Sequence, residues 1–364
     1  MNANELSVTE QIGQMIMVGM EGSTINKNIK TMIQNYKIGG VILYKKNFKN
    51  YNEMIKLVND LKKLNCVNKI PLFIAIDQEG GRVNRMPQEI KNLIAAKKLA
   101  STQNIKLVHE AGNVIGKLLK DSGFSVNFAP VLDIQRFEDN HAIGDRCYGK
   151  DAHTVSRYGI EFMNGLKEQG MISVIKHFPG HGATTKDSHY FLPIIHKKMS
   201  ELEQEDLIPF KNAIKSEAEA IMLGHLLIND VNKIYPCSLS REFIIKFLRR
   251  KYKYNGLIIT DDLNMRAIRF VYGVKLATVK ALEAGNDILL FRFKNNEGKV
   301  VIQKIQKLVE NGKIKAKRIE QSVNRIIKLK EKYHLDDSEI VKGCDINKIN
   351  QCIENINQQY HERS

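Results

Sequence analysis

The sequence predicts an α/β protein built as a single domain, a (β/α)8 TIM-type barrel with a short C-terminal helical tail. Three observations predict it. Eight short apolar runs recur along the 364 residues. Longer amphipathic stretches of helical period separate them. The runs also lack the polar alternation of a sheet with one wet face, so they fit strands buried on both sides. Strands alternating with helices imply right-handed βαβ units and a parallel sheet, and eight such repeats match a closed barrel.

The runs are QMIMV (14–18), GVILY (40–44), LFIAI (72–76), VNFAP (126–130), SVIKH (173–177), AIMLG (220–224), LIIT (257–260) and DILLF (287–291). Between them lie helical patterns such as NEMIKLVNDLKKLN (52–65) and TVSRYGIEFMNGLKEQG (154–170), and NEGKVVIQKIQKLVENG (296–312) follows the last run. Gly123, Gly170 and Gly285 stand where helices should stop. A doubly wound sheet competes with the barrel, but it carries G-x-G-x-x-G after its first strand. Here the first run ends Val18-Gly19-Met20-Glu21-Gly22. The barrel is expected over residues 1–335. Residues 336–364 are polar and rich in Asn and Gln, too poor in apolar residues for a second domain, and are expected to form a helix that is docked or frayed.

Lys and Arg number 56 against 40 Asp and Glu, a formal net charge of +16. The lysines are spread along helical stretches, with no RNP motif, zinc finger or clustered arginine arm. This reads as solvated helix faces rather than a nucleic-acid surface, and is compatible with an anionic ligand. No run of 18 apolar residues occurs, so neither a transmembrane helix nor a membrane partner is expected. The start, MNANELSVTEQIGQM, lacks the pattern of a signal peptide. Five cysteines, odd in number and without C-x-x-C, argue against a disulfide framework or zinc ribbon and for a cytoplasmic protein. The oligomeric state is not legible.

In a barrel the active site lies at the C-terminal ends of the strands. Run three ends in Asp77-Gln78-Glu79-Gly80-Gly81-Arg82. Run four ends near Asn127 and Asp133, and its loop carries Ile143-Gly144-Asp145-Arg146. Run five enters Lys176-His177, run six ends in Gly224-His225, and run seven in Thr260-Asp261-Asp262. Each alone could be a cap or loop residue; their joint placement on one rim points to a catalytic cleft.

The segment KHFPGHGATTKDSH (176–189) holds three of the chain's ten histidines and an aspartate. His177 and His181 have the spacing of H-E-x-x-H, but that motif needs a helix, and Phe178-Pro179-Gly180 after a strand forbids one. No metal is expected. Asp187-Ser188-His189 holds the residue types of a serine hydrolase, yet consecutive side chains cannot form that relay, and no G-x-S-x-G is present. Asp187 and His189 make better sense as a pair. In an extended loop, residues i and i+2 point the same way. The carboxylate then fixes the imidazole tautomer and favours the imidazolium, giving a proton donor. Gly180 and Gly182 are expected to be the hinges of this loop. Asp261 is the best candidate for a nucleophile that forms a covalent glycosyl intermediate with retention. Strand parity says only that Asp261 and Asp262 point to opposite faces. Asp77, Arg85, Arg146, Lys176 and His177 would hydrogen-bond sugar hydroxyls.

KHFPGHG followed by DSH, together with DQEGGRVNR (77–85), IGDR (143–146) and TDDLNM (260–265), resembles the β-N-acetylglucosaminidases of glycoside hydrolase family 3 over roughly residues 8–335. The resemblance implies Asp261, rather than Asp262, as nucleophile and His189 as acid/base with Asp187 as its partner. It also implies substrate binding by Asp77, Arg85, Arg146, Lys176 and His177. The implied substrate is a small carbohydrate, a β-linked N-acetylglucosamine in peptidoglycan fragments released during cell-wall recycling, with no cofactor. A phosphorylase on the same scaffold is the alternative, and a non-catalytic sugar-binding protein a more remote one. The chain departs from many relatives at Ala183, where they carry an acidic residue, and the tail after 336 matches no family element.

Overall fold

The computed structural model describes residues 1–138, 140–184, 192–292 and 297–362. Eight parallel strands form the barrel: β1 Ile16–Gly19, β2 Gly40–Leu43, β3 Phe73–Ile76, β4 Val126–Asn127, β5 Ile172–Phe178, β6 Ala220–Leu223, β7 Leu257–Thr260 and β8 Leu289–Phe291. All eight fall on the apolar runs. Each strand pairs with its neighbour in sequence, for example Met17 with Gly40, Gly40 with Phe73 and Ala220 with Leu257. β8 returns to β1 through Ile16–Leu289. The ring closes between β7 and β8 through a parallel bridge, Ile259–Ile288, supplemented by the Thr260 hydroxyl, which accepts from Leu290 N at 3.0 Å. The barrel expectation therefore holds. The run VNFAP gives only a two-residue strand, and pairing with β5 resumes beyond it at the Val131–Lys176 bridge.

A helix follows every strand: α1 Lys27–Gln34, α2 Tyr51–Asn65, α3 Ile105–Asp121, α4 Ala152–Glu168, α5 Ile208–Lys215, α6 Phe243–Lys251 (wound as a π-helix), α7 Val274–Ala284 and α8 Glu297–Glu310. Asn50, Asn104 and Asp151 cap α2, α3 and α4 by accepting from backbone N–H groups of the first turn. Gly123, Gly170 and Gly285 all take positive φ just past helix ends, as the sequence predicts. Strand residues such as Phe73, Ile74, Val174, Ile221 and Ile258 are buried between barrel interior and helix ring. Among the described residues, no helix is long and apolar enough to cross a membrane.

Two helices complete the chain, α9 Ala316–Lys332 and α10 Ile346–His361. The N-terminal mouth of the barrel is closed by Lys330 of α9. Its buried ammonium donates to Gln14 Oε1, Gly39 O and Pro71 O at 2.9, 2.9 and 2.6 Å. The polar tail is docked: Ile349, Ile353 and Ile356 of α10 form a buried stripe at helical spacing, and α10 packs on α3 and on the short helix Ala96–Ser101.

Candidate active site

The strand ends surround a cavity of about 650 Å³ at the C-terminal face of the barrel. Asp77, Arg85, Arg146, Lys176, His177 and Asp261 all line it. These six sequence-predicted residues come from four different strands and their loops, so the fold brings them together as expected. Asp187 and His189 lie outside the described residues.

Lys176 and His177 are consecutive in β5, and strand alternation would turn them to opposite faces. A register shift against β6 between Ile175 and Phe178 breaks that alternation, and both side chains reach the cavity. The Lys176 ammonium is buried and donates to Asp77 Oδ1 at 2.7 Å, and it pairs with Glu79 Oε1 at 2.6 Å. Arg146 grips the same Glu79 with both forks, Nε to Oε2 at 2.9 Å and Nη2 to Oε1 at 2.8 Å. Glu79 therefore joins one cation from β5 and one from the loop after β4, although sequence reasoning singled out Asp77 and Arg85 from the stretch 77–85 and not Glu79. Burial alone would raise the Glu79 carboxyl. The charges of Arg146 and Lys176, with their hydrogen bonds, override it and hold the group well below the usual carboxylate range.

A group depressed on folding contributes stability that is fully present above its unfolded pKa, about 4.3 for Glu, and is lost as pH falls through the folded value. Glu79 thus supports the fold throughout the neutral range. Glu79→Ala removes the carboxylate partner of Arg146 and one of the two that Lys176 holds, and should cost about 3–5 kcal/mol. Below about pH 4 the wild-type melting temperature should fall more steeply than that of Glu79→Gln. Thermal melts between pH 2 and 7 test this; parallel curves would exclude the network as a source of acid sensitivity.

His177 is oriented by Asp133. Its Nδ1 lies 2.7 Å from Asp133 Oδ2, and the same buried carboxylate accepts from His181 N at 2.6 Å. Burial would raise Asp133, but the His177 charge and hydrogen bond, with His181 adding to them, lower it. With Nδ1 engaged by an anion, Nε2 on the far edge of the ring is left for the cavity. His177 lies within β5 and His181 opens a short 3-10 helix after it, so the two do not share a helix face.

The hinge expectation for Gly182 is corrected. A Cβ built on Gly182 would meet Ile134 O at 1.6 Å, and Asn140 Nδ2 donates to the carbonyls of His181 and Thr184 at 3.2 and 2.8 Å. Gly182 is there for close approach to the β4 loop, which pins residues 181–184. His225 is likewise not at the cavity wall: it sits behind it, Nδ1 against Ser238 Oγ and Nε2 against Asp262 O at 2.8 and 3.0 Å.

The two aspartates after β7 differ in what they hold. Asp262 Oδ1 accepts from Asn264 N and from Arg292 N, both at 2.9 Å, so this carboxylate ties the β7 and β8 loops together. Burial raises its carboxyl above the usual range, against the opposing backbone hydrogen bonds, and the Asp261 charge adds to the rise. Asp261 Oδ1 accepts from Asp262 N at 2.7 Å, and its carboxylate borders the cavity. Tyr44 at the end of the second run and Arg292 after β8 also line the cavity, with the guanidinium 4.5 Å from the ring centroid. Sequence reasoning missed both; Arg292 directly follows the run DILLF, and Tyr44 is the last residue of the run GVILY. Arg85 anchors its backbone N to Gln78 Oε1 at 2.8 Å, while its buried Nε has no hydrogen-bond partner among the described residues. Such a donor at a cavity wall is suited to a ligand oxygen.

Carboxylates, histidine and oriented cations around a polar cleft of this size suit a sugar ring whose hydroxyls need both donors and acceptors. Comparison with known proteins agrees. The model of the glycosyl hydrolase family 3 N-terminal domain matches residues 7–329. The chain belongs to glycosyl hydrolase family 3. It is therefore a glycoside hydrolase by family. It is 32% identical over 281 residues to a β-hexosaminidase of Nitrosospira multiformis, covering 76% of this chain and 79% of that protein. The β-hexosaminidase LpqI of Mycobacterium tuberculosis is 28% identical over 335 residues, with 89% and 83% covered. Among solved structures, a family 3 β-N-acetylglucosaminidase from a Paenibacillus species superposes with a TM-score of 0.91 at 32% identity, covering 98% of this chain and 69% of that one.

Proposed function

We propose that the protein is a retaining exo-β-N-acetylglucosaminidase that removes terminal β-linked N-acetylglucosamine from peptidoglycan fragments in the cytoplasm, with residues 1–335 as the catalytic unit. The observation that carries the reading is the division of labour after β7. Both aspartates border the cavity with Lys176, His177 and Arg85, but Asp262 Oδ1 is committed to the amides of Asn264 and Arg292. The names carried by the relatives supply the sugar: hexosaminidase and N-acetylglucosaminidase.

In this reading the Asp261 carboxylate attacks the anomeric carbon. The bond from that carbon to the aglycone oxygen breaks, and the departing oxygen takes a proton from His189, whose imidazolium Asp187 supports. His189, now neutral, accepts a proton from water as the water attacks the same carbon, breaking its bond to Asp261 and releasing the free carboxylate. Two inversions leave the product β. Asp77, Lys176, Arg146, Arg85 and His177 hold the hydroxyls and the acetamide through their charged or polar hydrogen bonds, and Glu79 and Asp133 keep those groups in place. No cofactor takes part.

A second reading, phosphorolysis, draws on the cavity's charge: seven Arg and Lys side chains line it against four Asp and Glu. A neutral histidine, unlike a spent carboxylic acid, would not repel a phosphate by the roughly 1 kcal/mol that two charges exchange at about 4 Å in water. Hydrolysis remains the favoured reaction. The test is turnover of an aryl β-N-acetylglucosaminide with and without phosphate at fixed ionic strength, with the product's anomer read by NMR. The expected result is free β-N-acetylglucosamine at a rate indifferent to phosphate. Acceleration by phosphate with an N-acetylglucosamine 1-phosphate product would favour the second reading, and absence of turnover on any such glycoside would overturn both.

A further inference from the structure

The tail lies beyond the residues matched by the family domain, which end at 329, yet it is tied to the site. On α10, Asn350 and Asn357 make the same bidentate contact with the main chain of residues 89–94. Asn350 Oδ1 accepts from Lys91 N at 2.8 Å while its Nδ2 donates to Glu89 O at 2.7 Å. Asn357 Oδ1 accepts from Ile94 N at 3.0 Å while its Nδ2 donates to Asn92 O at 3.0 Å. In both cases the amide reads one residue's N–H and the carbonyl two residues earlier. The repeat is metrically matched. Seven residues of helix advance about 10.5 Å, and three residues of extended chain advance about 10 Å. Glu354, midway between the two asparagines, adds an ion pair to Lys91.

Segment 89–94 in turn carries the turn after β3. Leu93 O accepts from Gly81 N at 2.7 Å, and Asn92 Nδ2 donates to Gly81 O at 2.6 Å. Asn92 thus bonds α10 through its carbonyl and the turn through its side chain. The turn is fitted to this surface: a Cβ on Gly81 would lie 2.7 Å from Ala95 Cβ, and one on Gly80 would lie 2.9 Å from Ile94 O. From the turn, short bonds run to the site residues. Glu79 N donates to Val83 O at 3.0 Å, Val83 N to Gly80 O at 3.1 Å, and Arg85 N to Gln78 Oε1 at 2.8 Å.

We propose that α10 is a brace for the substrate-binding turn, and that Asn350 and Asn357 are positioning residues that act through segment 89–94 and Gly81 on Glu79 and Arg85. The inference rests on the reading of Arg85 as a substrate-binding group. It gives the tail a role in affinity rather than in chemistry, because the nucleophile and the β5 residues stand on other strands. The two asparagines leave the packing of α10 to Ile349, Ile353 and Ile356, so their removal loosens the turn without undocking the helix.

The experiment compares Asn350→Ala/Asn357→Ala with Arg85→Ala and the wild type, using full-length protein, steady-state kinetics on an aryl β-N-acetylglucosaminide, and amide hydrogen exchange. The brace predicts a KM raised about tenfold with kcat within about twofold, the loss a displaced binding group gives. It also predicts exchange at Gly81 N faster by about tenfold, although Gly81 touches neither asparagine, while the amides of Ile353 and Ile356 stay protected. Unchanged exchange at Gly81, or a KM that rises in Arg85→Ala but not in the double variant, overturns the brace. If Arg85→Ala leaves KM unchanged, the binding role of Arg85 is wrong, and the Gly81 exchange rate still decides whether the tail holds the turn. Loss of protection throughout α10 is met by repeating both readouts on Asn357→Ala alone, with the same criteria.

Discussion

Asp261→Ala is expected to reduce turnover on any β-N-acetylglucosaminide by on the order of 10⁴-fold or more, with substrate still bound. Removing a nucleophile eliminates the covalent path, and what is left is the smaller acceleration from binding and electrostatics. The cavity would otherwise be unchanged, since the cations that hold the sugar are fixed by Glu79, Asp77 and the β3 turn rather than by Asp261. Asp262→Ala should behave differently. It strips an acceptor from the amides of Asn264 and Arg292, so it should cost about 1–3 kcal/mol of stability and retain measurable chemistry. Single-turnover kinetics on both variants, alongside binding of the product sugar, separates these outcomes. If Asp262→Ala is the inactive protein and Asp261→Ala the active one, the roles are interchanged.

His189→Ala should give the next largest effect, and its size should depend on the leaving group. A proton donor matters where the departing oxygen is basic, as in a disaccharide, and little where it is an acidic phenol. General acid catalysis is typically worth about 10²–10⁴-fold, so the loss on the disaccharide should approach that range while the glycosylation step of a nitrophenyl glycoside slows far less. Asp187→Ala should show the same pattern in weaker form. A plot of log kcat/KM against leaving-group pKa is the measurement: steep for His189→Ala and shallow for the wild type. Equal slopes would remove His189 from the acid role.

The barrel was legible because parallel strands buried on both faces leave an unmistakable trace, short apolar runs with no polar alternation. Strand length was less so, since β4 stops at Asn127, part-way through the run VNFAP. Of the site, what was legible was residue type at strand ends: Asp77, Lys176, His177 and Asp261 follow directly from the run boundaries. What was not legible was pairing. Glu79 meets Arg146 67 positions away, and Asp133 meets His177 44 positions away, and no local pattern encodes such distances. Lys176 and His177 share the cavity only because β5 shifts register, which periodicity cannot foresee. Tyr44 and Arg292 escaped because a tyrosine counted inside an apolar run and a single arginine after one carry no motif. Gly182 was misread because a glycine needed for close approach and a glycine needed for motion look alike in sequence. The tail's composition left a docked and a frayed helix both open. Its asparagines read main-chain groups of 89–94, which any sequence there would offer, and its apolar stripe is only three isoleucines wide.

The central claim is a covalent glycosyl-aspartate at Asp261. It is tested most directly by mixing His189→Ala with a nitrophenyl β-N-acetylglucosaminide, so that formation of the intermediate stays fast and its hydrolysis slows, then quenching in acid and mapping the modified peptide by mass spectrometry. The account predicts a single N-acetylhexosamine adduct, on Asp261 in the segment Thr260-Asp261-Asp262-Leu263, that disappears in Asp261→Ala/His189→Ala. An adduct on any other residue would contradict it.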